Sequence, residues 1–172
     1  MALADFGKFK NILITGGAGF IGINLVRRLL KMKDLRLFII DKIGYSSDLD
    51  SLNKLIYSKS INSNSKCKFF KVNLSNHKDT EQVISKANPD LIFHLAAESH
   101  VDRSIDNPFN FIESNLIGTF NLLEASKNHW ENLSKERKKC FKFIHISTDE
   151  VFGSLNISGK FSEKTPYNPS SP

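Results

Sequence analysis

The segment ITGGAGFIG, residues 14–22, carries four glycines between an apolar run and a helix-like pattern. It follows NILIT (11–15) and contains Gly-x-Gly-x-x-Gly at positions 17, 19 and 22. Because glycine lacks a Cβ atom, such a turn can adopt positive φ and lie close to a ligand. A helix that starts there presents unpaired N–H groups, which bind phosphate. The segment therefore predicts a strand, a tight turn and a helix arranged around a phosphate group.

A second apolar run, LRLFIID (35–41), ends in Asp41, 19 positions beyond Gly22. An acid at this distance from a glycine turn can bind both hydroxyls of an adenosine ribose. It also repels a 2′-phosphate, so the combination predicts a dinucleotide site that prefers NAD to NADP. Lys42, the next residue, weakens that preference slightly.

Short apolar runs alternate with helix-period segments along the chain, which is typical of parallel βαβ units. The apolar runs predict strands at 11–15, 35–41, 68–73, 91–96 and 141–147. The periodic segments predict helices over 19–31, over 47–56 behind Ser47, over 77–87 behind Ser75 or Asn76, and from Asn107 onward. The last helix has one apolar face, formed by Phe109, Ile112, Leu116, Phe120 and Leu123. We expect a single α/β domain over residues 1–172, built on a doubly wound, Rossmann-like parallel sheet.

Composition and charge argue against several classes of function. The chain has a formal net charge of +6, and its densest basic segment is KERKK at 135–139. That segment lies between a helix pattern and a strand pattern, so we predict a solvated loop and no nucleic-acid partner. No run approaches the ~20 apolar residues of a membrane span. The two cysteines lie far apart and no histidine has metal-ligand spacing, which favours a soluble, cytoplasmic protein without a metal.

Four stretches resemble the nucleotide-sugar 4,6-dehydratases, a branch of the extended short-chain dehydrogenase/reductase superfamily. They are ITGGAGFIG, HLAAESHVDRSI (94–105), FIESNLIGT (111–119) and HISTDEVFG (145–153). The resemblance spans essentially the whole chain and implies NAD as cofactor, a nucleotide sugar (dTDP-glucose above all) as substrate, and a homodimer in the full-length form. It also implies a C-terminal sugar-nucleotide domain, which these 172 residues do not include.

The resemblance assigns cofactor contacts to several parts of the chain. The pyrophosphate would lie at the glycine turn, at Gly16, Gly19, Phe20, Ile21 and Gly22. The ribose would be surrounded by Asp41, Lys42, Ile43 and Gly44, and the adenine would meet Asn73 and Leu74, where the family usually has an acid first. Further contacts come from Leu95 and from the nicotinamide side, lined by Ala96, Ala97, Glu98 and Ser99; Ser99 also reaches the sugar. Ser114 and Asn115 would face the cofactor from the long helix.

The chemistry of the family needs an acid and a base at neighbouring carbons of the sugar. NAD takes hydride from C4 and returns it to C6, and the transient 4-ketone acidifies the C5 proton while water leaves. The resemblance makes Asp149 the acid, Glu150 the base and Thr148 the partner of the C4 hydroxyl. Asp149 must then stay protonated near neutral pH, which burial beside a second carboxylate would favour. Successive side chains on a flat strand point to opposite faces, so we expect the chain to bend near Gly153.

Two alternatives remain open at the level of sequence. A nucleotide-sugar 4-epimerase of the same superfamily shares the glycine turn but does not need Asp149 and Glu150. The other is an NAD-binding module without turnover. The feature that speaks for it is the absence of a Tyr-x-x-x-Lys motif, which in the family follows a stretch like TPYNPSSP (165–172). We therefore expect a fragment or a natural truncation that is inactive on its own. His94 and His145, inside predicted strands, are predicted to be packed rather than catalytic.

Overall fold

The computed structural model describes residues 8–32, 34–57, 67–155 and 159–170, without the side chains of 101–103. The polar stretch 58–66, predicted to separate a helix from a strand, lies outside the described residues. Within the described part, five strands form one parallel sheet: β1 Asn11–Thr15, β2 Arg36–Asp41, β3 Cys67–Lys71, β4 Leu91–His94 and β5 Lys142–His145. Their order, β3-β2-β1-β4-β5, confirms the predicted doubly wound, Rossmann-like fold class.

Helices connect the strands and continue beyond the fourth. They are α1 Phe20–Leu29, α2 Leu49–Ile56, α3 His77–Ala87, α4 Val101–Asp106, α5 Pro108–Phe111, a π-helix at Ile112–Ile117, α6 Gly118–Glu131 and α7 Lys135–Cys140. A 3₁₀ turn, Asp149–Phe152, follows β5. The predicted last residues of three strands (72–73, 95–96 and 146–147) belong to loops instead, and these loops lie where the functional residues are expected.

Alternation along the strands divides the core into two layers. Ile12 and Ile14 of β1 belong to one buried cluster, whereas Leu13 belongs to the other. Residues of α1 and α2 complete the first cluster, and residues of α3 and α6 complete the second. Because both faces of the sheet are covered, the three central strands β1, β2 and β4 are buried at nearly every position, which is typical of a parallel sheet.

The predicted helix starts at Ser47 and Asn76 have different outcomes. Asn76 caps α3 by accepting a hydrogen bond from the backbone N–H of Asp79, as expected. Ser47 is not the cap of α2. Asp48 takes that role, because its carboxylate accepts the backbone N–H of Ser51 at 2.9 Å, and the hydroxyl of Ser47 is engaged elsewhere.

The long helix predicted from Asn107 is interrupted by the π-helix. Its last N–H, that of Gly118, bonds to the carbonyl of Glu113 five residues earlier. A turn with one extra residue does not show in a 3.6-residue hydrophobic period, so the sequence pattern could not reveal it. The apolar face predicted for this helix is exposed: Phe109 is 67% and Leu116 63% accessible, and Ile112, Phe120 and Leu123 are also exposed.

The prediction of a loop over the basic segment 135–139 is wrong, because these residues form most of α7. Ser134 caps the helix by accepting the backbone N–H of Arg137. The Arg137 guanidinium donates through Nε and a terminal nitrogen to Asp90 Oδ1, at 3.1 and 2.7 Å, and also to Asn88. Asp90 in turn accepts the backbone N–H groups of Lys10 and Asn11. Arg137 therefore fastens α7 to the amino-terminal edge of the sheet.

Candidate nucleotide-binding site

The glycine turn lies between the carboxyl end of β1 and the first turn of α1. Gly16 adopts φ +67°, and a Cβ atom there would lie 2.7 Å from the backbone nitrogen of Ala96, so the chain tolerates no side chain. A Cβ atom on Gly22 would collide with the carbonyl oxygen of Gly16. Gly19 is the N-cap of α1 and has no side chain to satisfy the helix N–H groups. The amino terminus of α1 is therefore open to an anion, as the motif predicts.

Asp41 ends β2 and is only 7% accessible. Its Oδ2 accepts the backbone N–H of Ala18 in the glycine turn at 2.9 Å. Its Oδ1 accepts the N–H of Ile43 at 2.8 Å and the hydroxyl of Ser47 at 2.9 Å. Ile43 takes a positive φ of 59°, a strained conformation for a β-branched residue, in the turn that this carboxylate closes. Asp41 thus connects the glycine turn to the loop after β2, and this structural role does not depend on a ligand.

Ser47 is a site residue that the sequence analysis missed. Its hydroxyl donates to Asp41 and accepts the backbone N–H of Gly44 at 3.1 Å. The available signal was a serine at a helix start, which fits a capping role equally well. Only the folded loop shows that the hydroxyl points back to the carboxylate.

Lys42 crosses the site to the loop after β4. Its Nζ lies 2.6 Å from Glu98 Oε1 and donates to Ser114 Oγ at 2.6 Å. The Lys42 and Glu98 side chains are 34% and 19% accessible. The sequence analysis placed Glu98 on the nicotinamide side, but the structure joins its carboxylate to the residue next to Asp41. Three segments that are distant in sequence are therefore linked by one ammonium group.

The polar residues of the π-helix hold neighbouring loops in place. The Asn115 amide accepts the backbone N–H of Glu98 at 2.8 Å and donates to the carbonyl of the same residue at 2.9 Å. Glu113 accepts the hydroxyl of Ser75 at 2.8 Å and the amide of Asn73 at 3.4 Å. The π-helix thus supports the loops after β3 and β4 at once, which fits the frequent occurrence of such turns at functional sites.

One cavity gathers most of the predicted cofactor residues. It is lined by Gly16, Gly19, Asp41, Lys42, Gly44, Asn73, Leu74, Leu95, Ala96, Ala97, Glu98 and Ser114, together with the unpredicted Ile40, Ser46, Ser47 and Val72. Phe20, Ile21, Gly22, Ile43, Ser99 and Asn115 do not line it, although Phe20 and Ile21 lie exposed in the first turn of α1. The cavity lies beyond the carboxyl ends of the parallel strands, where ligands bind in open α/β sheets.

A buried histidine, His94 at the end of β4, supports the backbone that lines the cavity. His94, 1% accessible, makes hydrogen bonds through Nδ1 to Thr15 Oγ1 at 2.7 Å and through Nε2 to Thr119 Oγ1 at 2.8 Å. Burial, with a smaller effect of His145, lowers the pKa of His94 to about 4. Thr15 Oγ1 also accepts the backbone N–H of Ala96. The packing prediction is confirmed for His94, whereas His145 is exposed.

The acid pair lies in a different environment. Thr148 Oγ1 accepts the backbone N–H of Glu150 at 3.3 Å and starts the 3₁₀ turn that contains both acids. The turn replaces the alternation of a strand and ends at Gly153, whose φ is +83°, so the expected bend is present. Thr148, Asp149 and Glu150 are all exposed, and the burial expected for Asp149 is absent from the described structure.

Residues 159–170 pack back against this turn. The Phe152 ring stacks on Phe161, with centroids 5.2 Å apart, and lies 5.6 Å from the ring of Tyr167. The backbone N–H of Asn168 donates to the carbonyl of Val151 at 3.0 Å, and a Cβ atom on Gly153 would collide with the Asn168 carbonyl. Residues 159–170 therefore support the 3₁₀ turn from one side and leave the carboxylates of Asp149 and Glu150 accessible.

Comparison with known proteins identifies the family. The sequence profile of the GDP-mannose 4,6 dehydratase family matches residues 13–172. The chain belongs to this family. It is 42% identical over 163 residues to dTDP-glucose 4,6-dehydratase of Haemophilus influenzae and 42% identical over 170 residues to that of Escherichia coli. It covers 46% and 45% of these proteins, so it spans less than half the length of the relatives it matches. These matches confirm the resemblance stated from sequence.

Solved structures agree on the fold. A dTDP-glucose 4,6-dehydratase from Bacillus anthracis, in complex with NAD, is 36% identical with a TM-score of 0.72, and the match covers 94% of this chain and 45% of that one. A dTDP-glucose 4,6-dehydratase double mutant from Streptomyces venezuelae, also with NAD bound, is 30% identical with a TM-score of 0.77. This match covers 93% of this chain and 46% of that one. A UDP-Glc/GlcNAc 4-epimerase from Campylobacter jejuni is 28% identical with a TM-score of 0.76, over 93% of this chain and 43% of that one. The fold is thus shared by dehydratases and epimerases.

The described residues contain no candidate for a membrane span or for a metal centre. No helix there has both the length and the apolar character needed to cross a bilayer. Nor does this part of the chain bring three or more His, Cys, Asp or Glu side chains together as a metal site. Cys67 is buried, which raises its pKa to about 12, and Cys140 is exposed; both are free thiols.

Proposed function

We propose that the chain binds NAD and forms the cofactor half of a dTDP-glucose 4,6-dehydratase. The observation that carries this proposal is the cavity between the glycine turn and Asp41, with the open amino terminus of α1 at its edge. Among the described residues, Asp41 Oδ2 accepts one hydrogen bond, from Ala18, which leaves it an acceptor position for a ribose hydroxyl. The NAD complexes of similar proteins and their 36% and 30% identity to this chain support the choice of cofactor.

We assign the chemical roles of the reaction to the turn after β5. NAD, when bound, supplies reversible hydride transfer at C4 and C6 of the sugar. Thr148 would orient the C4 hydroxyl, Glu150 would remove the C5 proton and Asp149 would protonate the leaving C6 hydroxyl. Ser99 would hold the sugar from the loop after β4. The exposed position of both carboxylates suits groups that meet a substrate, and a bound nucleotide sugar would cover them.

An epimerase is the second candidate, because a 4-epimerase matches the fold as well as the dehydratases do. The adjacent carboxylates favour the dehydratase, since epimerisation at C4 requires no acid and base at C5 and C6. Sequence identity among the solved structures points the same way: 36% and 30% to the dehydratases against 28% to the epimerase. A module that binds NAD without turnover is the third candidate.

Two assays separate the three candidates. The 172-residue chain is titrated with NAD by calorimetry, and saturable 1:1 binding supports the cofactor proposal. The complete reading frame that encodes the chain is then expressed and incubated with dTDP-glucose. Loss of one water by mass spectrometry supports the lyase, whereas a product of unchanged mass with the galactose configuration supports the epimerase. Binding of NAD with no product in either form of the protein supports the module.

The matched controls use the acid pair. Asp149→Asn and Glu150→Gln keep the shape of each side chain and remove the carboxyl group that would donate or accept the proton. In the lyase they should abolish loss of water without preventing NAD binding by the chain. In an epimerase the same substitutions should leave product formation within a few fold of the parent.

We also propose that the full-length protein is a cytoplasmic homodimer. The exposed apolar face of α5, the π-helix and α6 is the natural contact, because contiguous apolar surface of this kind marks interaction sites. A second copy is the expected occupant, since an isologous contact needs only one such face. Leu116→Glu should convert a dimer to a monomer in analytical ultracentrifugation, and a monomeric parent would contradict the proposal.

A further inference from the structure

The charges around the cavity suggest how the choice between NAD and NADP is controlled. Among the lining residues, Asp41, Lys42 and Glu98 are the ones with ionisable side chains. Two carboxylates and one ammonium leave this set with one net negative charge. The ammonium belongs to the residue immediately after the predicted ribose acid, which is where a basic side chain can accommodate a 2′-phosphate.

A free lysine at this position would work against Asp41. An ammonium on a flexible stem attracts phosphate as a point charge and needs no fixed geometry. Asp41 repels the 2′-phosphate, so a mobile Lys42 beside it would offset part of that repulsion. The sequence alone therefore predicts weakened selection for NAD.

The structure removes Lys42 from that role. Its Nζ is 2.6 Å from Glu98 Oε1 and 2.6 Å from Ser114 Oγ, so two of its three donors are already engaged by residues of two other segments. The pair is partly buried, with Glu98 19% accessible, so solvent screens it less than an exposed ion pair. Glu98 is itself held by its backbone, through both hydrogen bonds of Asn115.

We infer that Glu98 determines cofactor specificity indirectly, by pairing with the Lys42 ammonium so that its charge and donors do not serve a 2′-phosphate of the bound dinucleotide. This inference rests on the proposed binding of NAD in this cavity. Glu98 is thus a positioning residue: it acts through Lys42, and Ser114 assists it. Discrimination against NADP then depends on two carboxylates, one that repels the 2′-phosphate and one that restrains the cation that would attract it.

The test is the ratio of the dissociation constants for NADP and NAD, measured by calorimetry on the 172-residue chain. Glu98→Gln keeps the size of the side chain and the backbone bonds to Asn115, but it loses the charge that holds Lys42. We expect the ratio to fall about tenfold, the equivalent of ~1.4 kcal/mol. Thermal unfolding of the variant checks that it folds.

The same substitution in a Lys42→Met background is the matched control, because methionine keeps the length of the stem without the ammonium. If Glu98 acts through Lys42, Glu98→Gln should change the ratio there by less than about twofold. A tenfold change in both backgrounds would show direct repulsion by Glu98 and would overturn the inference.

Ser114→Ala provides an independent route if Glu98→Gln does not fold. It removes one of the two restraints on Nζ, so the ratio should fall about two- to threefold. An unchanged or higher ratio would count against the inference. Absence of NAD binding by the parent chain would overturn the proposed function and this inference together. Normal NAD binding with an unchanged ratio in Glu98→Gln would overturn this inference alone.

Discussion

The glycine turn with Asp41 and the turn that carries Asp149 and Glu150 both follow the carboxyl ends of strands in one sheet, yet they are built differently. Asp41 is 7% accessible and accepts three hydrogen bonds from the chain. Both acids of the second turn are exposed, with support from residues 159–170 beneath them. The difference teaches that contacts among the described residues organise the cavity around Asp41, whereas the same kind of contacts leave both carboxylates of the second turn exposed.

The largest effect is expected from Asp41→Ala. Removing the carboxylate leaves the N–H groups of Ala18 and Ile43 and the Ser47 hydroxyl without their acceptor. We expect a loss of about 3 kcal/mol in the free energy of unfolding and at least ~100-fold weaker NAD binding. Urea denaturation and calorimetry measure the two effects. Asp41→Asn, which keeps one oxygen, should have a free energy of unfolding between those of the parent and the alanine variant. Equal stability of all three proteins would contradict the structural role given to Asp41.

A pH dependence is expected from His94, whose folded pKa is about 4. The lowered folded pKa means that the native state favours the neutral ring, so this contribution is complete above the unfolded pKa of ~6.5. It is lost as the pH falls from there through 4, by about 2 kcal/mol between pH 7.5 and 5. Urea denaturation at these pH values measures it.

The control for that pH dependence is His94→Gln. Glutamine can still hydrogen-bond Thr15 and Thr119 but does not titrate. The variant should lose the part of the slope that His94 supplies, even if it is less stable at every pH. An identical slope in parent and variant would contradict the role given to this histidine.

A smaller effect is expected at the opposite edge of the sheet. Arg137→Ala removes the bonds to Asp90 and Asn88 that fasten α7, and should cost about 1 kcal/mol in unfolding free energy. NAD binding should not change, because Arg137 packs at the amino-terminal edge of the sheet, whereas the cavity lies beyond the carboxyl ends of the strands. Weaker NAD binding in this variant would show that the two edges are coupled.

The smallest effect on stability is expected for substitutions in the acid pair, Asp149 and Glu150. Asp149→Asn and Glu150→Gln alter exposed side chains, so the free energy of unfolding should change by less than about 0.5 kcal/mol. Destabilisation comparable to that of Asp41→Ala would mean that this turn is as tightly built as the cofactor pocket.

Local patterns predicted most of the scaffold. Apolar runs located all five strands to within one or two residues, because both sheet faces are buried. The glycine turn and Asp41 were also recognisable, since short spacing in sequence fixes their geometry. Fragment status, the domain boundary and the individual site roles stay predictions.

Long-range and irregular features escaped the sequence analysis. The Lys42–Glu98 pair and the Arg137–Asp90 pair join residues that no local pattern connects. The π-helix at Ile112–Ile117 breaks the period on which helix prediction relies, and it is what directs Asn115 to the Glu98 backbone. Ser47 shows the remaining difficulty: one residue type suits two local roles, and the fold selects between them.

The central claim is that NAD occupies the cavity between the glycine turn and Asp41. Its most direct test is a titration of the ¹⁵N-labelled chain with NAD, followed by two-dimensional NMR. We predict saturable shifts for the amides of Gly16, Ala18, Ile43 and Glu98, and none for Arg137 at the opposite edge. Shifts confined to the amino-terminal edge, or no saturable shifts at all, would contradict the claim.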